Sequence, residues 1–210
     1  KTGVIKADAD GYYEVVLGAL DFFNSAGAIY SFQSAKALFD ESGSLMRRIK
    51  NGCLKGEYGH PKFAPGMSKR DFVGRILNIH EETVSHHIKE VWIEHDRVKD
   101  KNGGKVIAIM GKVKPAGPMG QHLKEALENK HENVCFSIRS LTNDVYDARG
   151  VLIKHLQNII TWDYVNEPGI SVANKYQAPS LENLQNVQFS FENFNEFQKH
   201  QKELGVSMES

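Results

Sequence analysis

Ser137 and His60 are the residues whose types and settings point most directly to chemistry. His60 stands before a proline at the end of a glycine-rich turn, Gly56-Glu57-Tyr58-Gly59-His60-Pro61. Ser137 sits in an otherwise apolar, strand-like run, Val134-Cys135-Phe136-Ser137-Ile138-Arg139, with an arginine two residues on. A serine hydroxyl is hardly ionised at neutral pH and needs a base to become a nucleophile. A histidine supplies one near pH 7, since its unperturbed pKa is about 6.5. The two are far apart in the chain, so only the fold can join them, and such constellations are defined by geometry rather than chain order. Each residue also has a plainer reading. A histidine in a Gly/Pro turn reads as a solvated loop residue, and a serine in a strand as a small packed one.

The elements that must position this pair are legible in outline. Tyr12 to Leu20 reads as a strand, because Tyr12, Tyr13, Val15, Val16 and Leu17 are strand formers. Ser34 to Lys50 reads as a helix with Ala35, Leu38, Phe39, Leu45 and Ile49 on one face, and Gly43 divides it into two pieces. Ser68 to Arg75 reads as loop or irregular structure. Val84 to Glu94 and Lys105 to Val113 read as strands joined by a polar connection ending in Gly103-Gly104. Gly120 to Lys130 reads as a helix with Leu123, Ala126 and Leu127 inward. Val134 to Leu141 is the serine-bearing strand, and Gly150 to Ile160 and Thr161 to Val165 read as a strand pair. Many short strands with two or three helical patterns predict an α+β fold, built on a closed or nearly closed antiparallel barrel with a few packed helices.

Composition sets the bounds. The 210 residues suffice for one domain with a real core, or one domain plus an appendage. At 40% hydrophobic and 25% charged, the chain is ordinary for a globular protein. Formal net charge is zero at pH 7, which gives no basic surplus for a nucleic-acid or acidic-membrane partner. No apolar run approaches the roughly 20 residues of a membrane helix. Two cysteines, Cys53 and Cys135, make no disulfide framework and suit a reducing compartment. Cys135 reads as a packed apolar residue rather than a catalytic thiol. The start at Lys1 reads as a trimmed or processed product. From Pro179 the composition shifts, so residues 1–178 are expected to form the main domain and residues 179–210 an appendage. In that appendage Phe189, Phe191, Phe194 and Phe197 suggest a strand turning into an amphipathic helix, either packed on the core or regulatory.

Three segments resemble one family. Gly56 to Pro61 is similar to the G-E-x-x-H-P motif of prohead core protein proteases, the serine proteases that mature the capsids of tailed phages. Val134 to Ser140 resembles that family's G-V-S-S-R-G block, with Ser137 on the nucleophile and Arg139 on its arginine. Ile160 to Gly169 resembles its later D-x-V-x-x-P-S strand, with Asp163 on the aspartate. The resemblance spans about Ala28 to Ala173. The chain departs from the pattern at Cys135-Phe136, where the family has Gly-Val, at Ser140 in place of glycine, and at Gly169 in place of serine.

The resemblance implies acyl transfer: Ser137 attacks and His60 is the base. Arg139 either stabilises the oxyanion or forms a structural ion pair. For the third member Asp163 comes first and His155 second, because the herpesvirus assembly proteases, apparent relatives of this family, use a second histidine there. Glu57 comes third. The implied substrates are capsid and scaffold or core proteins, and the chain itself, inside a prohead assembled in the host cytoplasm. No cofactor is implied, and self-association stays open. The family cuts after glutamate, and Ser207-Met208-Glu209 fits such a site, with self-cleavage before Ser210. His80, His86, His87 and His95 lack compact metal-ligand spacing, so no metal is expected. The competing reading is a non-catalytic phage structural or scaffold protein on a related barrel, with Ser137 and His60 as relics.

Overall fold

The computed structural model describes residues 5–167 and 169–175, and residues 206–208 as a strand. The expected Phe-rich element, most of the proposed appendage and the boundary at 178/179 lie outside the described residues. So do Glu209 and Ser210.

Among the described residues, two four-stranded sheets carry the fold. The first has the order β1 (Tyr13–Leu20), β5 (Ile107–Pro115), β4 (Val84–Glu94) and β3 (Lys55–Glu57), antiparallel throughout. The second has the order β2 (Ile29–Tyr30), β7 (Leu152–Val165), β6 (Cys135–Tyr146) and β8 (Val206–Met208). Its pairs are antiparallel except β2 with β7, which is parallel. Among the described residues four α-helices pack around the sheets: α1 (Phe32–Leu38), α2 (Ser44–Lys50), α3 (Lys69–Leu77) and α4 (Gly120–Glu128). The main core lies between the sheets and takes Val15, Leu17, Ile88, Val113, Leu123, Phe136, Ile138 and Trp162 among its buried side chains.

The α+β class and mainly antiparallel pairing agree with the sequence; a continuous closed ladder is not shown. Among the described residues the two sheets are separate ladders joined by isolated bridges at two places. At one, Tyr58 makes a parallel bridge to Tyr164, and the Gly59 N–H donates to the Tyr164 carbonyl at 2.6 Å; at the other, just past β1, Phe23 bridges Ile29 of β2 and the Asp21 N–H donates to the Tyr30 carbonyl at 2.8 Å. Alternation along a strand reports which face is buried, not whether the sheet's edges join.

One element boundary agrees and two differ. Gly43 does divide the first helical stretch, as its low helix propensity suggests, and it forms the N-cap of α2. The stretch Ser68 to Arg75 is not irregular but opens α3. The Ser68 hydroxyl accepts from the Asp71 N–H at 3.1 Å, Asp71 sits in the first turn, and Phe72 and Ile76 are buried one turn apart. The expected pair Gly150 to Ile160 and Thr161 to Val165 is one 14-residue strand, β7. Ile160-Thr161 carries no turn residue, and β6 on its flank is long enough to pair with all of it. Mismatches are taken up by register shifts at Arg139/Ser140 and Leu141/Thr142.

Gly56 fixes how closely β3 approaches its neighbours. A Cβ there would overlap the His86 ring and the Trp162 carbonyl oxygen. Gly56→Ala is therefore expected to destabilise by about 3 kcal/mol or more, as overpacking against backbone does. A thermal melt should show Tm lower by roughly 6–12 °C; an unchanged Tm would mean that β3 does not seat this tightly.

Candidate active site

Ser137 and Asp163 face each other directly across the β6–β7 ladder. Opposed residues in an antiparallel pair project from the same face with Cβ atoms about 5 Å apart. That gap suits one imidazole ring, and His60 fills it. Its Nε2 lies 2.8 Å from Ser137 Oγ and its Nδ1 lies 2.8 Å from Asp163 Oδ2. The carboxylate accepts from Nδ1–H, which leaves Nε2 to accept from the serine hydroxyl.

The loop after β3 delivers His60. The Tyr58 N–H donates to the Thr83 carbonyl and the Gly59 N–H to the Tyr164 carbonyl, so the chain runs beside β7 before it turns. Gly59 makes that turn at φ +85°, in the region that side chains other than glycine rarely adopt. The buried Pro61 then holds His60 to extended backbone angles.

Asp163 is fully buried and both its oxygens are saturated. Oδ1 accepts from Arg139 Nη2 at 2.7 Å and from the Glu57 N–H at 3.1 Å. Oδ2 accepts from Arg139 Nε at 2.9 Å and from His60. Burial pushes this carboxyl up, but the Arg139 charge and the His60 hydrogen bond outweigh it and hold the group well below the usual carboxylate range. Asp163 is therefore an anion at neutral pH.

Arg139 is equally buried, and all five of its N–H groups have acceptors. Nε and Nη2 go to Asp163, and Nη2 also goes to Glu57 Oε2 at 2.8 Å. Nη1 reaches the carbonyls of Ile76 and Asn78 at the end of α3, at 3.3 and 3.4 Å. A guanidinium has five donors, so none is left over for an oxyanion. The placement corresponds to the ion-pair role.

Glu57 extends the network away from the histidine. It accepts from Arg75 on α3 at 2.5 and 3.0 Å, from Thr83 Oγ1 at 2.5 Å and from the His80 N–H at 3.2 Å. Burial raises its carboxyl, and the bonds from Arg75 and Thr83 with the Arg139 charge bring it below its ordinary value. Two guanidiniums thus balance two carboxylates. Arg75 and Thr83 escaped sequence reasoning. The Ser68-x-x-Asp71 cap was the one signal for the helix that carries Arg75.

The other candidates lie elsewhere. His155 pairs with Asn143. At about 3.3 Å per residue it is roughly 26 Å along β7 from Asp163, so it is not the partner of His60. Burial pushes the Cys135 thiol up to about 12, so it is no nucleophile at neutral pH. His86 is buried against the Trp162 carbonyl, and His87 contacts Tyr12 and the Gly52 carbonyl. Among the described residues no group of three His, Cys, Asp or Glu side chains has the arrangement to hold a metal ion. No described helix is long and apolar enough to cross a membrane.

A serine, a histidine and a buried aspartate in one hydrogen-bonded row are the parts of a hydrolase that works by acyl transfer. The family model described as the Peptidase S80 family matches residues 1–210, and the chain belongs to that family of peptidases. It is 40% identical over 189 residues to a capsid maturation protease of Pseudomonas phage phiKZ, an alignment covering 88% of this chain and 68% of that one. Among solved structures it is similar to the bacteriophage T4 capsid assembly protease, gp21. That likeness has a TM-score of 0.48 and 14% identity, over 73% of this chain and 80% of that one.

His86 backs the site from behind and makes it sensitive to acid. Burial lowers its pKa to about 4, against partial support from the Trp162 carbonyl and the Asp163 charge. The unfolded chain, with a histidine near 6.5, therefore binds more protons between pH 6.5 and 4. Stability from this group is complete above pH 6.5 and is lost as pH falls towards 4, by about 3 kcal/mol. The depressed carboxyls of Asp163 and Glu57 act lower, as pH falls below about 4. Denaturant melts from pH 7 to 3 should show both limbs. His86→Gln should flatten only the upper one; an unaltered upper limb would assign it to other groups.

Proposed function

We propose that this chain is a serine endopeptidase that cleaves capsid and scaffold or core proteins during prohead maturation. The observation that carries the reading is the unbroken row Ser137–His60–Asp163, with both links at 2.8 Å. Family membership and the phage capsid maturation protease at 40% identity support the class of reaction and of substrate.

The steps follow from the geometry. Nε2 of His60 takes the hydroxyl proton as Ser137 Oγ bonds to the scissile carbonyl carbon. The tetrahedral intermediate collapses, the C–N bond breaks, and the imidazolium returns the proton to the leaving amine. Water then attacks the acyl ester with His60 again as base, releasing the acid and restoring Ser137. Asp163 keeps the proton on Nδ1 and stabilises the imidazolium that forms twice per cycle. Arg139 and Glu57 are positioning residues: they fix the Asp163 carboxylate, and Arg139 is assigned to that task rather than to the oxyanion. Backbone amides near Ser137 would hold the oxyanion.

Cleavage after glutamate, self-processing at Glu209–Ser210 and a place inside the prohead complete the proposal, on the resemblance of the three motifs to the phage family. The tested quantity is cleavage of a purified capsid or scaffold substrate. Ser137→Ala and His60→Ala should each lower kcat by about 10⁴-fold or more while leaving the melt intact, and the double variant should be scarcely worse. Asp163→Asn should cost several thousand-fold through the wrong tautomer. Full activity in Ser137→Ala would overturn the assignment.

A further inference from the structure

β6 carries Ser137 on one face and offers its backbone along an outer edge. That edge is occupied in two stretches. Near its start, the Phe136 N–H donates to the Ala173 carbonyl, the Lys175 N–H donates to the Val134 carbonyl, and Cys135 bridges Asn174. Further on, β8 pairs antiparallel with it: Val206 opposite Leu141, Ser207 opposite Ser140 and Met208 opposite Arg139. Ser137 and Ile138 lie between the two stretches. Ser137 itself retains 1% of its surface, so a substrate carbonyl reaches Oγ only after something yields.

We propose that the β6 edge from Leu141 to Arg139 is the surface on which a substrate strand docks, and that residues 206–208 hold it as a tethered competitor. The proposal rests on the acyl-transfer reading of Ser137. Three observations carry it. A sheet edge recruits an extended peptide through main-chain bonds, which suits substrates of varied sequence. β8 is a three-residue strand, so few bonds hold it and its opening is easy. The polarity is also right. β8 rises in number as β6 falls, so an occupant in this register points its C-terminal end at Ile138 and Ser137. The residues before a scissile bond therefore lie along Leu141, Ser140 and Arg139, and the next one or two come level with Ser137. The segment at Ala173–Lys175 stops the ladder there, so the chain beyond the cut must leave the sheet. Register shifts in β6 at Arg139/Ser140 and Leu141/Thr142 fall inside this same stretch, where irregular pairing re-aims a strand. Tethering gives residues 206–208 an effective concentration that a free peptide must overcome.

The probe is a fluorescein-labelled peptide of the sequence Val206 to Ser210, with binding read by polarisation on the full-length chain carrying Ser137→Ala. Adding Ser207→Pro and Met208→Pro removes an N–H from each of the two strand directions and should release the edge. The peptide should then bind at least tenfold tighter than to Ser137→Ala alone, and a peptide N-methylated at the equivalents of Ser207 and Met208 should lose that gain. With Ser137 intact, the double proline variant should lower KM for a peptide substrate several-fold and leave kcat nearly unchanged. Equal affinity with and without the prolines, or equal binding of the N-methylated peptide, overturns the docking proposal. Tenfold tighter binding with no cleavage by any Ser137-containing form would instead uphold docking and overturn the acyl-transfer reading.

Discussion

The contact between Asp163 and Arg139 is the constraint on which the site depends. Moving two such charges out of water costs several kcal/mol each, and their attraction offsets this only when geometry is good and remaining donors and acceptors are satisfied. Here both conditions hold. Asp163 accepts four bonds and Arg139 donates five. Meeting them requires β3, β6, β7 and the end of α3 to be placed together within a few tenths of an ångström. The same precision sets His60 between Ser137 and Asp163. Removing one partner would leave an uncompensated buried charge, so the network is an all-or-none device for holding one aspartate.

This explains why Glu57 is buried beside a site that has no evident need for a second acid. One guanidinium facing one carboxylate would leave part of its fork unbonded in a dry interior. Glu57 takes that part, and Arg75 and Thr83 then satisfy Glu57. Each added charge brings a counter-charge from a different element, until the last one, Arg75, stands near solvent. The motif Gly56-Glu57-Tyr58-Gly59-His60-Pro61 thus does three tasks in six residues. Gly56 permits the close approach, Glu57 anchors Arg139, and Gly59 with Pro61 aims His60.

What the sequence disclosed follows the range of the forces involved. Ser137 and Arg139 were readable as neighbours on one face because side-chain direction in a strand repeats every two residues. Asp163 was reached through a motif, yet its position opposite Ser137 is a matter of register, which depends on the whole β6–β7 ladder. β7 itself was misread as two strands, since nothing local distinguishes a long paired strand from two short ones. α3 was missed for a different reason. Its apolar content is low, and only Phe72 and Ile76 of its residues are fully covered, so the period was too short to stand out. Arg75 went unseen with it, although it completes the charge balance. Barrel closure is the part of the fold least legible in the sequence, because the sheets join through isolated bridges, Tyr58 to Tyr164 and Phe23 to Ile29, each with one partner outside the regular strands.

The two demands on β6 also limit what it can be made of. Its inward residues Phe136 and Ile138 fill the main core, while Ser137 and Arg139 on the other face serve the site. A change of register by one residue would exchange these faces, putting Arg139 into the apolar core and Phe136 into the site. The charge network therefore fixes more than the aspartate. By pinning Arg139 to Asp163 and Glu57, it locks the register of β6 on β7, and with it the position of Ser137 along the outer edge. Any strand added to that edge is measured against a ruler whose zero is an ion pair on the far side of the same residue. On the proposed reading, the geometry around Ser137 and the register of a docked peptide are in this way set by one interaction, and neither can drift without the other.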